Sequence, residues 1–226
     1  KGALWLKLVS KGRSAHGSLS PYVGDNAIKK LMNVLEQLQN LTQLHGEYEG
    51  EVKEVMTESK KVAKECLKAP NVENIMDHIT VNIGEIHGGT KANMVADYAE
   101  AQVDIRIPIG INSTDILAKV DKIIEDLGGG ISYTYSWRSE PNYVSINSPI
   151  VQAVRANAKD VLGMDISATY QWASSDARYF RYKGIPTIQY GPANTEGIHS
   201  YDETVDIKDL VNSAKVYAGM ILDLLK

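Results

Sequence analysis

Residues 3–9 alternate, with Leu4, Leu6 and Leu8 on one side and Trp5, Lys7 and Val9 on the other, a period of two that predicts a half-buried strand. A loop rich in Gly, Ser and Pro covers 10–24. Asp25 or Asn26 then stands where it can cap a helix whose apolar residues Ile28, Leu31, Val34, Leu38 and Leu41 fall at helical spacing. A second helical stretch, 52–67, has a thinner stripe of Val52, Val55, Val62 and Leu67 opposite many charges, and Pro70 and Asn71 end it. Two strands are expected next: Ile79, Val81 and Ile83 alternate with Thr80, Asn82 and Gly84, and Ala99, Ala101, Val103 and Ile105 with Glu100, Gln102, Asp104 and Arg106. Ile116, Val120, Ile123 and Leu127 mark a helix over 113–127, which Gly128, Gly129 and Gly130 stop. In the fourth strand Ile131, Tyr133, Tyr135 and Trp137 share one face.

Four half-buried strands with helices to cover one face predict a split β-α-β sandwich, and 1–138 is read as one domain. The polar segment 139–147, with Pro141, reads as a linker. Beyond it the pattern predicts a helix over 148–162, a short strand near 168–171, a helix over 174–183, a compact apolar run at 185–190 and a final helix over 207–225. Strands alternating with helices point to a doubly wound α/β sheet, but two short strands make a poor sheet alone, so this second unit is expected to need partners outside the chain. The alternation that starts at residue 3, behind Lys1 rather than a methionine, fits a piece of a longer protein.

The 226 residues are enough to bury a core, and 24 basic residues against 28 acidic ones give a formal net charge of −4. The basic residues are scattered, so nucleic-acid binding is not expected. The single cysteine, Cys66, excludes an internal disulfide and fits a reducing cytoplasm. No run approaches the roughly 20 apolar residues of a membrane helix.

Candidate chemistry is thin by spacing alone. His199 lies in a loop between an apolar run and the last helix, where α/β folds gather functional groups; without an HxxxH partner its spacing alone favours the plainer reading of a surface histidine. His16, among small neighbours, has room to reach a ligand or simply to be solvated. Gly88 and Gly89, ahead of Asn93, serve as hairpin residues or as a turn-rich contact loop. Arg106 on the polar strand face pairs with an acid such as Asp104 or Asp97, or grips a substrate carboxylate. Ser174, Ser175 and Asp176 read as a helix cap that could also touch an anion. His45, His78 and His87 have no companion pattern and read as structural.

Taken in order, six strings carry a resemblance. KGALWLKL, GRSAHGS and GDNAI over residues 1–28 resemble the start of the dimerisation domain in the dinuclear zinc family of aminoacylases, acetylornithine deacetylases, succinyl-diaminopimelate desuccinylases, carnosine-type dipeptidases and glutamate carboxypeptidases. ITVNIGEIHGGTKANMVADYAEAQVDIRIP, QWASSDARYFRYKGIPTIQYGPA and IHSYDETVDIKDL are similar to that family's later signatures. The resemblance implies a ferredoxin-like four-stranded lid over 1–138, followed at 139–226 by the carboxyl-terminal portion of a zinc-peptidase α/β domain whose amino-terminal portion is absent.

It further implies that His199 is a zinc ligand, that His16 reaches the partner subunit's active site to stabilise an oxyanion, and that Asn93 and Arg106 bind the substrate carboxylate across a homodimer. Ser175 and Gly197 would line the pocket. Two zinc ions, with cobalt or manganese as substitutes, would activate water to cleave an amide bond in N-acyl amino acids, or peptides in a dipeptidase or carboxypeptidase. The family's HxD segment, bridging aspartate and Glu-Glu pair are missing, since the chain begins where the lid begins. The 226 residues alone are therefore expected to be inactive. A non-catalytic dimerisation or binding module is the alternative of another class.

Overall fold

The computed structural model describes residues 1–163, 165–192 and 201–225. They form two units, Lys1–Glu47 with Asp77–Pro141, and Tyr48–Met76 with Asn142–Lys226.

In the first unit the alternation at the start of the chain becomes β1 (Gly2–Lys11), which lies inside an antiparallel sheet. Helix α1 (Ala27–Gln39) follows, capped by Asn26, whose side chain accepts from Lys29 N at 3.1 Å. The remaining elements of this unit are β2 (Thr80–Gly88), β3 (Tyr98–Ile107), α3 (Ser113–Asp126) and β4 (Ile131–Ser139). The strand order β2-β3-β1-β4 makes the four-stranded mixed α/β fold that the sequence pattern and the resemblance both imply. Leu4, Leu6, Leu8, Val103, Ile105 and Ile107 turn one sheet face into the core, where Leu31, Val34 and Leu38 of α1 and Ile116 and Val120 of α3 cover it. Asn112 caps α3, accepting from Asp115 N at 2.9 Å.

Two bulges shift the phase of the edge strands. In β2, Ile83 faces Val103 while Glu85 faces Gln102, so Gly84 is the extra residue and the strand runs on to Gly88, past the end of the simple alternation. In β4, Tyr135 pairs with Leu6 but Trp137 pairs with Trp5, which makes Ser136 the extra residue. Trp137 therefore does not share the face of Ile131 and Tyr133; it stacks against Trp5 on the opposite face, ring centroids 5.4 Å apart.

The second unit contains α2 (Gly50–Leu67), α4 (Pro149–Leu162), α5 (Ala177–Tyr182) and α6 (Ile207–Leu224). Val154 and Ala158 of α4 pack on Val216 and Met220 of α6. Gly219 permits the close approach, because a Cβ there would lie 1.9 Å from Asn157 Oδ1. Helix α2, which the sequence pattern placed in 1–138, groups with this unit for a visible reason. Its Glu51 carboxylate accepts from Ser145 Oγ at 2.7 Å, Ile146 N at 3.1 Å and Asn147 Nδ2 at 3.2 Å, and Ser59 Oγ accepts from Tyr170 N at 2.8 Å. The segments 168–171 and 185–190 are not strands, and no strand lies in 142–225 among the described residues. The backbone of Tyr170 bonds a serine side chain instead of a neighbouring strand. The helix expected over 174–183 is only Ala177–Tyr182, and Asp176 at its start makes no capping bond. Ile207, Leu210, Ile221 and Leu222 of α6 are exposed. Among the described residues no helix is long and apolar enough to cross a membrane.

Candidate functional site

The loop after β1 is laced to the segment that precedes β3. Gly12 N donates to Asp97 O at 2.8 Å, Val95 N to Ala15 O at 2.9 Å and Gly17 N to Asn93 O at 2.7 Å. Glycine is required at Gly17, since a Cβ would stand 2.9 Å from the Asn93 carbonyl carbon. His16 and Asn93 are thereby held on adjacent backbones, both exposed.

The His16 ring has a defined tautomer. Its Nδ1 accepts from the backbone N of Ser18 at 3.2 Å and lies 2.7 Å from Ser18 Oγ. Because a backbone N–H can only donate, Nδ1 carries the lone pair and the neutral ring keeps its hydrogen on Nε2. A fixed Nε2–H on an exposed loop is a hydrogen-bond donor for a ligand oxygen.

Arg106 does not join this pair. It lies near the far end of β3, opposite Ala3 of β1 and Thr80 of β2, whereas the His16–Asn93 loops adjoin the Tyr98 end. At about 3.4 Å per residue the two ends are roughly 27 Å apart. The guanidinium is half-buried, and its Nε and Nη2 donate to Asp104 Oδ2 at 2.9 and 2.7 Å. This is the acid pairing that the strand pattern suggested, and it fixes the plane of the fork.

Ser175 belongs to the second unit, where its carbonyl accepts from Arg178 N at 3.2 Å and Arg178 Nη1 at 2.8 Å. Arg178 is buried, stacks over Tyr179 with its guanidinium carbon 4.2 Å from the ring centroid, and donates to the Tyr179 hydroxyl at 2.8 Å. Arg178 thus shapes the corner that carries Ser175. Sequence reasoning passed over it, although an arginine inside a short run of aromatic residues was the available signal.

Gly197 and His199 lie outside the described residues. Among the described residues no three His, Cys, Asp or Glu side chains converge on a point where they could hold a metal ion. The ligand set of a dinuclear zinc centre is therefore not met by them.

The profile of the peptidase dimerisation domain of the M20 group matches residues 1–131, and the chain belongs to that family. It is 29% identical over 145 residues to a succinyl-diaminopimelate desuccinylase of Thioalkalivibrio sulfidiphilus, covering 63% of this chain and 38% of that protein. A probable carboxypeptidase of Aspergillus flavus is 26% identical over 227 residues, which is 98% of this chain and 47% of the relative. The crystal structure of an M20 family metallo-carboxypeptidase from Sulfolobus solfataricus shares the fold, with a TM-score of 0.71 at 19% identity over 98% of this chain and 58% of that one. The chain thus spans about half the length, or less, of the curated relatives it matches.

Proposed function

We propose that this chain is the carboxyl-terminal half of a metal-dependent amidohydrolase that cleaves N-acyl amino acids, of the deacetylase or desuccinylase type. The observation that carries the reading is the fixed Nε2–H of His16 beside Asn93 on the lid of a peptidase dimerisation domain. In this reading His16 donates to the oxyanion of the tetrahedral intermediate, and Asn93 and Arg106 hold the substrate carboxylate. Arg106 lies too far from His16 for both to touch one small substrate within a protomer, so a homodimer joined through the lid is part of the proposal.

Residues 139–226, together with 48–76, would complete the catalytic α/β domain. The exposed apolar side chains of α6 and the chain's half-length coverage of its relatives support that assignment. Zinc is the ion proposed for the whole protein, with His199 among its ligands. The described residues would contribute hydrogen bonding and orientation of the substrate. The lone cysteine fits a cytoplasmic location.

Turnover of acetylornithine, succinyl-diaminopimelate and a set of dipeptides by the whole protein with added zinc tests the reading. Activity on an acylated amino acid is expected, and metal-loaded protein inactive on every substrate would overturn it in favour of a non-catalytic binding module. A metallo-carboxypeptidase or dipeptidase is the second reading, favoured by the A. flavus relative matching nearly the whole chain. Arg106→Lys is expected to raise KM about tenfold with little change in kcat, because a point charge replaces a planar fork. An unchanged KM would remove Arg106 from the substrate site.

A further inference from the structure

A separate pair of histidines stands near the Arg106 end of the sheet. Gly46 N donates to Asp77 O at 2.9 Å and Ile79 N to Leu44 O at 2.9 Å, and between these bonds His45 faces His78 in a short antiparallel bridge. The two bonds flank the pair and are not made by it. This is the closer type of antiparallel pairing, with Cα atoms about 4.5 Å apart and both side chains on one face. The frame is rigid. A Cβ at buried Gly46 would lie 1.8 Å from the Ile109 carbonyl oxygen, and Ile79 sits in the core of the unit.

The chemistry of the pair is also set. Asp77 is a buried carboxylate, 7% exposed, and it accepts from His78 Nδ1 at 2.7 Å. An ionised carboxylate only accepts, so Nδ1 bears the hydrogen and neutral His78 has its lone pair on Nε2, the arrangement that prepares an imidazole to ligate a metal. The rings of His45 and His78 have centroids 5.5 Å apart and planes inclined by 45°. A transition ion bonded at about 2.0–2.1 Å to one nitrogen of each ring lies about 3.2 Å from each ring centre. At a tetrahedral angle the two ring centres would then be about 5.2 Å apart, within a few tenths of an ångström of the spacing found.

Nearby cations do not prevent this. Lys1 Nζ donates to the His78 backbone carbonyl at 2.7 Å and is thereby held on the main chain rather than on the ring. Arg106 is itself neutralised by Asp104.

We propose that His45 and His78 form a two-imidazole site for a divalent transition ion of the Cu²⁺, Ni²⁺ or Zn²⁺ class, with Asp77 as the outer partner that orients His78. Two protein nitrogens leave the other coordination positions to water or a small anion. Copper should bind most tightly, as the general order of divalent affinities requires. The site is built entirely from the first unit and does not depend on the hydrolase reading.

Titration of the metal-free full chain with CuSO₄ at pH 7.5, followed by calorimetry and electron paramagnetic resonance, tests it. One Cu²⁺ with hyperfine structure from two nitrogens is expected, and Cu²⁺ should displace Zn²⁺ loaded beforehand. H45Q and H78Q should each weaken that binding at least tenfold, and Asp77→Asn by about 10–100-fold through loss of the outer-shell bond. H199Q should leave it intact. His45 is exposed, so H45Q tests the site even if H78Q does not fold. Equal Cu²⁺ affinity in wild type and H45Q overturns the proposal, as does loss of the site in H199Q alone; the second result would instead support His199 as the hydrolytic ligand.

Discussion

Replacing His16 with alanine is expected to lower kcat of the whole enzyme by roughly 10²–10³, about 2.7–4 kcal/mol, the loss that follows removal of one preorganised oxyanion donor. The magnitude follows from how the ring is held. Ser18 N fixes Nδ1 as acceptor, Gly17 is clamped to Asn93 O, and Nε2–H needs no reorganisation when negative charge develops on the substrate oxygen. KM should change little, because the ground-state carbonyl carries less charge than the intermediate. Bound zinc, measured by elemental analysis, should be unchanged in His16→Ala and lost in His199→Ala. Parallel zinc loss in both variants would remove the division between a lid donor and a metal ligand.

The largest stability effect is expected at Leu8. Its side chain is fully buried in the centre of the sheet, opposite Ala101 of β3 and Tyr133 of β4. Leu8→Ala deletes the side chain where rigid strands on both sides prevent collapse, so a loss of about 2–5 kcal/mol is expected. With a urea slope of about 1–3 kcal/mol per molar, the midpoint of the transition should fall by roughly 1 M or more. Lys7→Ala, one residue away on the other face, removes an exposed, solvent-screened ion pair with Glu100 at 2.9 Å and should move the midpoint little. Similar midpoints for the two variants would contradict the placement of Leu8.

The elements set by local period were legible in the sequence. β1, β3, α1 and α3 alternate or recur cleanly because one face of each packs on a single core, and Asn26 was one of two cap candidates named. Features set by distant partners were not legible. One inserted residue, Gly84 or Ser136, reverses the phase of an edge strand, so the outward turn of Trp137 has no signature in its own neighbourhood. Helix α2 groups with residues far along the chain through Glu51 and Ser59, contacts that no periodicity encodes.

The same limit governs the chemical groups. Arg106 beside Asp104 is an i, i+2 pair that a strand pattern exposes. His45 and His78 meet because a short bridge brings two loops together, and each taken alone reads as structural. His16 was visible as a loop histidine, but its tautomer depends on a backbone N–H that becomes a partner only once the turn after it forms.

The tilted stack of Trp5 on Trp137 gives the lid its own spectroscopic label. Two indoles 5.4 Å apart and inclined by 34° are placed to couple their excited states, and a paired positive and negative band in far-ultraviolet circular dichroism is expected. Both rings sit on strands of the first unit, so the difference between wild type and Trp137→Phe would isolate that couplet from the helical background and report closure of the β1–β4 register.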